Sequence, residues 1–119
     1  MMVRNGRDVE PFVTLDGSTI REIIHPSNTP SVGQRLAEAR LAPRCATAKH
    51  VHKRSEEIYY ILSGKGRMHL GGEDSMVGEN DAIYIPSGTE HFIENIGDID
   101  LIFLCSCMPP YSDGDTEIL

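Results

Sequence analysis

Short apolar stretches separated by glycine and proline dominate the second half of the chain. The stretches EIYYILSG (57–64) and AIYIPSG (82–88) are rich in β-branched and aromatic residues. Residues 90–107 continue in the same way, and residues 66–81 predict two short strands around a turn at Gly71–Gly72. Strands of about five to eight residues, with a break about every ten residues, are typical of an all-β sandwich or barrel.

The N-terminal region is less regular. Residues 1–17 are polar and mixed, and they predict a loose arm with one strand at 11–15. Thr19 and Glu22 have the spacing of a helix capping box, and Pro26 would end a helix that began there. This segment therefore carries a helix signal that competes with the β pattern of the rest.

The segment GQRLAEARLAP (33–43) carries a second helix signal. Its Leu, Ala, Glu and Arg residues favour a helix by propensity, and the segment alternates only weakly as a strand. The residues alone give helix a slight lead here.

Composition fits a single soluble-type domain of 119 residues, with 39% hydrophobic and 24% charged residues. The net charge of −7 argues against nucleic acid or an anionic membrane surface as a partner. No apolar run is long enough to span a bilayer, and the N-terminus lacks the apolar core of a signal peptide. We therefore expect a cytoplasmic protein.

Three cysteines, Cys45, Cys105 and Cys107, predict reduced thiols because their number is odd and no secretion signal precedes them. On a strand, Cys105 and Cys107 would share one face. They could be half of a metal site, although no second pair completes it, or they could pack as small apolar side chains.

Histidines supply the clearest candidate chemistry. On a strand, His50 and His52 point the same way, and His91 opens a later strand after a turn. Farther along the first strand, alternation places Glu57 and Tyr59 on one face and Glu56 on the other. Three imidazoles and a carboxylate suit a divalent transition metal such as Mn, Fe, Ni, Cu or Zn, although isolated histidines more often pack or face solvent.

The spacing of these residues is more specific than their types. The chain reads His50-Xaa-His52-Xaa4-Glu57-Xaa6-Gly64 and, farther on, Pro86-Xaa-Gly88-Xaa2-His91-Xaa3-Asn95. This arrangement resembles the two sequence motifs of the cupin superfamily. Two motif glycines are replaced, by Arg44 and Asn80. Asn tolerates positive φ and can keep its turn, whereas Arg44 could indicate a turn of ordinary φ.

The resemblance implies an all-β jelly-roll barrel, a double-stranded β-helix. We expect an N-terminal arm and first strands at 1–33, the cupin barrel at 34–110 and a C-terminal tail at 111–119. The segment at 33–43 then becomes a strand against its propensity. The metal ligands that the resemblance implies are His50, His52, Glu57 and His91. The gap to Gly64 and the strand parity select Glu57 over Glu56.

A four-residue connection at 63–66 would pair residues 59–62 with residues 67–70 in a hairpin, and paired residues share a face. With the alternation of the later strands, this predicts a mostly apolar pocket. Its predicted lining is Ile61, Met68, Leu70, Ile83, Ile85 and Ile93. Tyr59 could donate a proton or bind substrate there, or it could be a packing ring.

The function indicated by these residues is that of a metalloenzyme acting on a small organic molecule, with dioxygenase-type or sugar-isomerase-like chemistry. Mn, Fe, Ni and Zn all suit the site. The alternatives are a non-catalytic ligand-binding or sensor cupin and a scaffold with a vestigial site. The outward apolar residues Ile58, Tyr60 and Leu62 need cover, and the resemblance implies a homodimer.

Overall fold

The structure, a computed structural model, describes residues 1–119 and is built almost entirely of strands. The strands are β1 (Phe12–Val13), β2 (Thr19–Ile24), β3 (Leu36–Leu41), β4 (His50–His52), β5 (Glu56–Ser63), β6 (Lys65–Leu70), β7 (Glu73–Gly78), β8 (Ala82–Ile85), β9 (His91–Asn95), β10 (Leu101–Met108) and β11 (Thr116–Ile118). Two short 3-10 turns lie at Gly6–Asp8 and Asp113–Asp115. No helix is long and apolar enough to cross a membrane.

The strands form two antiparallel sheets that face each other as a jelly-roll barrel. One sheet has six strands in the order β1-β2-β3-β10-β5-β8, and the other has five in the order β11-β4-β9-β6-β7. The core lies between them and draws on both sheets, with Ile61 and Phe103 from the first and Met68 and Ile93 from the second. The all-β jelly-roll prediction is confirmed.

Strand β5 shows how the sequence pattern sorts side chains between core and solvent. Glu57, Tyr59 and Ile61 are buried, whereas Glu56 and Ile58 are exposed. Since side chains alternate along a strand, this is the arrangement that the sequence predicts. The hydroxyl of Tyr84 donates a hydrogen bond to Glu56 at 3.1 Å on the outer face.

Both segments with helix signals are strands. Residues 19–24 form β2, so the helix indicated by the Thr19–Glu22 spacing is not present. β2 pairs with β3, which buries Ala37, Ala39 and Leu41 in the core. β3 is thus a strand, as the family resemblance implied, because burial of one face in a sheet outweighs a weak helix preference.

The predicted hairpin between residues 59–62 and 67–70 is wrong. β5 pairs with β10 and β8, and β6 pairs with β7 and β9. The chain leaves one sheet and enters the other at Gly64, where φ is +93° and a Cβ would lie 2.7 Å from the Asp100 carbonyl oxygen. The glycine therefore permits a change of sheet rather than a hairpin turn. The turn predicted at Gly71–Gly72 does connect β6 and β7.

The two positions that depart from the motif glycines both have positive φ, 64° at Arg44 and 71° at Asn80. Asn80 keeps its turn as predicted. The ordinary φ considered for Arg44 is wrong, because the loop between β3 and β4 retains the left-handed geometry without the glycine. The Arg44 side chain is exposed, so its length is accommodated although its backbone is strained.

The C-terminal residues form a wall of the barrel. β11 pairs with β4, with Thr116 opposite His52. The buried Asp115 carboxylate accepts hydrogen bonds from the backbone N–H groups of Arg54, at 2.9 Å, and Ser55, at 3.0 Å. These contacts fix the segment beside the histidine strand.

Candidate metal centre

Three histidines converge at one end of the barrel. His50 and His52 lie on the same face of β4, and His91 begins β9 directly opposite His50. One ring nitrogen of each lies within 4.8 Å of the other two, and all three residues are buried. The structure thus brings together residues about forty positions apart, as the two motifs predict.

Hydrogen bonds donated by the Nδ1 atoms orient all three imidazoles. His50 Nδ1 lies 2.6 Å from the Ala48 carbonyl oxygen, and His91 Nδ1 lies 3.0 Å from that of Thr89. Because carbonyl oxygens only accept, both Nδ1 atoms carry the proton. Each Nε2 atom therefore presents a lone pair to the interior.

A side chain, rather than a backbone carbonyl, holds His52 in the same tautomer. Its Nδ1 lies 2.9 Å from Thr116 Oγ1, and the Thr116 hydroxyl donates to the Ser112 carbonyl oxygen at 3.0 Å. With its proton used in this way, the hydroxyl oxygen accepts from His52. Partners of this kind fix the tautomer and orientation of metal-binding histidines.

Glu57 completes the cluster. Its Oε1 atom lies 3.3 Å from His52 Nε2 and 3.6 Å from His91 Nε2. Glu57 Oε1 and His91 Nε2 are both fully buried without a hydrogen-bond partner. Unsatisfied buried polar atoms are costly, and lone pairs that face one another call for a cation between them. The donor set, three imidazoles and a carboxylate, fits a divalent transition metal.

Electrostatics favour the ligand forms of His50 and Glu57. Burial lowers the pKa of His50, and the nearby His91 adds to the effect, so the neutral imidazole is favoured. Burial alone would raise the pKa of Glu57, but the positive charge and hydrogen bonds that His52 and His91 supply when protonated outweigh this and lower it to about 2. A metal cation in the same place would act in the same direction. A neutral imidazole and an ionised carboxylate are the states that bind metal.

A narrow cavity of about 390 Å³, part of it open to solvent, adjoins the cluster. Its lining is Thr14, Asp16, Ser18, Ile20, Arg35, Ala39, His50, His52, Glu57, Tyr59, Phe103, Cys105, Tyr111 and Thr116. The wall therefore combines eight polar residues with six apolar or aromatic ones, and it is less uniformly apolar than the sequence predicts.

None of the six apolar residues predicted to line the pocket borders this cavity. Ile61, Met68, Ile85 and Ile93 lie in the hydrophobic core, and Leu70 and Ile83 pack against that core. They face inward as predicted, but they lie in or against the core rather than along the cavity. Residues of the β1–β2 turn, β2, β3 and the C-terminal segment contribute to the cavity wall instead.

Tyr59, the predicted catalytic residue, does line the cavity. Its ring lies 4.6 Å from that of Phe103 and 6.3 Å from that of His91. Burial raises the pKa of its hydroxyl well above the usual range, and the Glu57 carboxylate adds to this. The hydroxyl is therefore a proton-bearing group, and its position is compatible with both the ligand-contacting and the packing interpretation.

Arg35 is a cavity residue that the sequence analysis did not identify. Its buried guanidinium pairs with Glu22, with Nε 2.5 Å from Oε1 and Nη2 3.2 Å from Oε2. It also lies under the Tyr111 ring, with Cζ 5.2 Å from the ring centroid. No sequence signal singles it out, because it stands alone at the edge of a segment with helix propensity.

The other two histidines and the pair Cys105 and Cys107 lie outside the cluster of candidate ligands. His69 pairs with Glu94 at 2.9 Å and stacks on Phe92 on the outer side. His25 Nε2 lies 3.1 Å from the Tyr111 carbonyl oxygen, behind the cavity wall. Cys105 and Cys107 are buried free thiols, and Cys105 forms part of the core.

The jelly-roll barrel contains a buried cluster of three histidines and a glutamate. These features define a class of barrels whose interior can hold a metal ion. Residues 37–107 match the family described as Cupin domain, and the chain belongs to that family.

Relatives and solved structures agree with this assignment. The chain is 51% identical over 111 residues to an uncharacterized protein of Methanocaldococcus jannaschii, covering 93% of this chain and 89% of that protein. It is 41% identical over 69 residues to an oxalate-binding protein of Thermotoga maritima, covering 58% and 57% of the two chains.

Solved structures with a similar fold include the following two. A predicted oxalate decarboxylase of Thermotoga maritima superposes with a TM-score of 0.79 and 28% identity, covering 91% of this chain and 99% of that one. The polyketide cyclase RemF of Streptomyces resistomycificus has a TM-score of 0.83 and 25% identity, covering 100% and 86%.

Proposed function

We propose that this cupin binds one divalent transition metal, Mn, Fe, Ni or Zn, through His50, His52, Glu57 and His91, and acts on a small organic molecule there. The observation that carries the proposal is the pair of buried, unpartnered atoms Glu57 Oε1 and His91 Nε2, which face each other at 3.6 Å. A metal between them would satisfy both lone pairs.

Four protein ligands leave open positions on an octahedral ion. When bound, such a metal supplies Lewis acidity or a site for dioxygen, which suits dioxygenase-type or isomerase-like chemistry. The chain's own contribution is orientation and the exclusion of water. Ala48, Thr89 and Thr116 hold the imidazoles, and the C-terminal segment closes one side of the cavity.

The comparisons support a small, oxygen-bearing ligand. An oxalate-binding protein and a predicted oxalate decarboxylase stand among the similar proteins. The cavity beside the cluster is narrow, which favours a ligand of few atoms.

A second candidate function is reversible ligand binding without turnover. The relative named for binding oxalate, rather than for converting it, favours this alternative. It uses the same cavity and differs in the absence of a chemical step.

Metal reconstitution separates the two candidates. The chain is stripped with a chelator, reloaded in turn with Fe(II), Mn(II), Ni(II) and Zn(II), and incubated with small hydroxy acids and enediols. Loss of substrate or consumption of dioxygen that depends on the metal supports the enzyme. Ligand binding with no turnover in any metal form supports the binding module. E57Q and E56Q are the matched variants, and only E57Q is expected to abolish either result.

We also propose that a second copy of the chain covers the outer face of the six-stranded sheet. Ile58, Tyr60 and Leu62 on β5 remain 48%, 38% and 42% exposed, and Tyr84 lies beside Ile58 on β8 with 54% exposed. A contiguous apolar face of this kind is typical of an interface.

A further inference from the structure

Asp16 is held rigidly at the rim of the metal centre. It lies in the turn between β1 and β2, and its Oδ1 atom accepts hydrogen bonds from the Thr14 hydroxyl at 2.6 Å, the Ser18 hydroxyl at 2.6 Å and the Ser18 N–H at 2.9 Å. Its backbone carbonyl accepts from the Ala48 N–H at 2.7 Å. Because Ala48 also orients His50, the turn and the ligand strand are positioned together.

The second oxygen of Asp16 faces the centre. Oδ2 lies 3.8 Å from His50 Nε2, and Asp16 lines the cavity. His50 carries its proton on Nδ1, so Nε2 has none to donate. Two acceptors therefore face the same space. With the metal held by the three histidines and Glu57, a ligand beside it that offers a hydrogen would satisfy Asp16 Oδ2.

Arg35 offers a hydrogen-bond donor in the same cavity, where Asp16 offers an acceptor. Glu22 occupies its Nε and Nη2 atoms. Nη1 contacts only the Cys107 sulfur, at 3.8 Å, and its nearest carboxylate oxygen, Glu57 Oε2, is 3.9 Å away. These distances leave Nη1 without an oxygen acceptor at full hydrogen-bond strength. Guanidinium groups bind carboxylates strongly in such positions.

From these two features we propose that the cavity selects small α-hydroxy acids. The ligand's hydroxyl would donate to Asp16 Oδ2, and its carboxylate would accept from Arg35 Nη1. A dicarboxylate without a hydroxyl, such as oxalate, would instead direct a carboxylate at the Asp16 carboxylate. This inference rests on the proposed metal function and narrows its substrate class.

The substitution Asp16→Asn tests the proposal, because asparagine has nearly the same shape as aspartate. Its amide oxygen can keep the contacts with Thr14 and Ser18, whereas its NH₂ group turns the free acceptor into a donor. We expect this exchange to weaken glycolate binding and to strengthen oxalate binding. Asp98→Asn is the matched control, because Asp98 is an almost fully exposed carboxylate that does not line the cavity.

The experiment uses the full chain loaded with Mn(II), with metal content measured first. Titration calorimetry then gives Kd for glycolate and for oxalate with the wild type, D16N and D98N. We expect the wild type to prefer glycolate, and D16N to shift the ratio of the two Kd values toward oxalate by about ten- to a hundredfold, as expected for a hydrogen bond to a charged group. D98N should keep the wild-type ratio.

Arg35→Lys separates the two contacts. Lysine keeps the positive charge but lacks the forked donors, so both ligands should bind more weakly while their ratio stays near the wild-type value.

Three results overturn the inference. They are a D16N ratio equal to that of the wild type, a wild type that prefers oxalate, and a metal-loaded wild type that does not bind glycolate. In each of these cases metal is bound, so the proposed metal centre itself stands. A chain that retains no Mn(II) contradicts the proposed function together with this inference.

Discussion

Thr116 accepts a hydrogen bond from His52, with Oγ1 2.9 Å from Nδ1, although the two residues are 64 positions apart. The contact joins the last strand to the metal centre. It fixes which nitrogen of His52 carries the proton and which is free to bind a metal.

Removing this hydroxyl should weaken metal binding without unfolding the barrel. We expect Thr116→Val to reduce metal affinity about ten- to a hundredfold, because His52 loses the partner that sets its tautomer. Competition with a chromophoric chelator measures the affinity. Thr89→Val is the matched control, since Thr89 orients His91 through its backbone carbonyl, which the substitution keeps. Equal affinities for both variants would contradict the role of Thr116.

Arg44 should be replaceable with a gain in stability. Its φ of 64° costs a residue with a Cβ about 1–2 kcal/mol, and glycine removes this strain while losing about 0.5–1 kcal/mol through backbone entropy. Arg44→Gly is therefore expected to raise the free energy of unfolding by about 0.5–1 kcal/mol. Urea denaturation measures this free energy of unfolding.

Asn80 provides the comparison for Arg44. Asn80 has a similar φ of 71°, but Asn tolerates this region well. Asn80→Gly should therefore not raise the free energy of unfolding. A stabilisation of Asn80→Gly as large as that of Arg44→Gly would show that the backbone strain at Arg44 is not the cause.

Asp115 should make stability depend on pH. Burial would raise the pKa of its carboxyl, but backbone hydrogen bonds from Ser55 and Arg54 more than offset this and lower it. A lowered pKa in the folded state means that the stabilisation is present at neutral pH and is lost as pH falls below the unfolded value of about 4. Asp115→Asn should be less stable than the wild type by about 2 kcal/mol at pH 7.

Thermal unfolding from pH 7 to pH 3 tests this expectation. The difference in melting temperature between the wild type and Asp115→Asn should become smaller as the wild-type carboxylate is protonated. Asp98→Asn, at an exposed site, should follow the wild type at every pH. A difference that stays constant down to pH 3 would argue against a charged hydrogen-bonding role for Asp115.

The outer face of β5 should control the oligomeric state. Ile58→Glu places a charge in the middle of the exposed apolar face, so we expect it to convert a dimer to a monomer. Light scattering coupled to gel filtration measures the mass. Val32→Glu changes an apolar residue that is 95% exposed elsewhere and should leave the mass unchanged. A wild type that is already monomeric at high concentration would refute the proposed dimer.

The motif residues were accessible from sequence because they depend on local periodicity. Alternation along β5 buries Glu57 and exposes Glu56, as the two-residue repeat requires. The convergence of His50 and His91 needed the family resemblance as well, since periodicity does not show which strands pair.

The cavity wall could not be predicted in the same way. Asp16, Arg35 and Tyr111 come from three distant segments, and each is a single polar residue without a local pattern. The hairpin error at Gly64 has a related cause, because a glycine connection permits either a hairpin or a change of sheet. The helix propensity of residues 33–43 was overruled by burial that only the assembled sheet provides.

The most direct test of the metal centre is the metal content of the purified chain. Wild type, the double variant His50→Ala/His52→Ala and the control His69→Ala are incubated with Mn(II), freed of excess metal and analysed by mass spectrometry for elements, with folding checked by circular dichroism. The account predicts about one metal per chain in the wild type and in His69→Ala, and loss of that metal in the folded double variant. Equal metal content in all three proteins would contradict it.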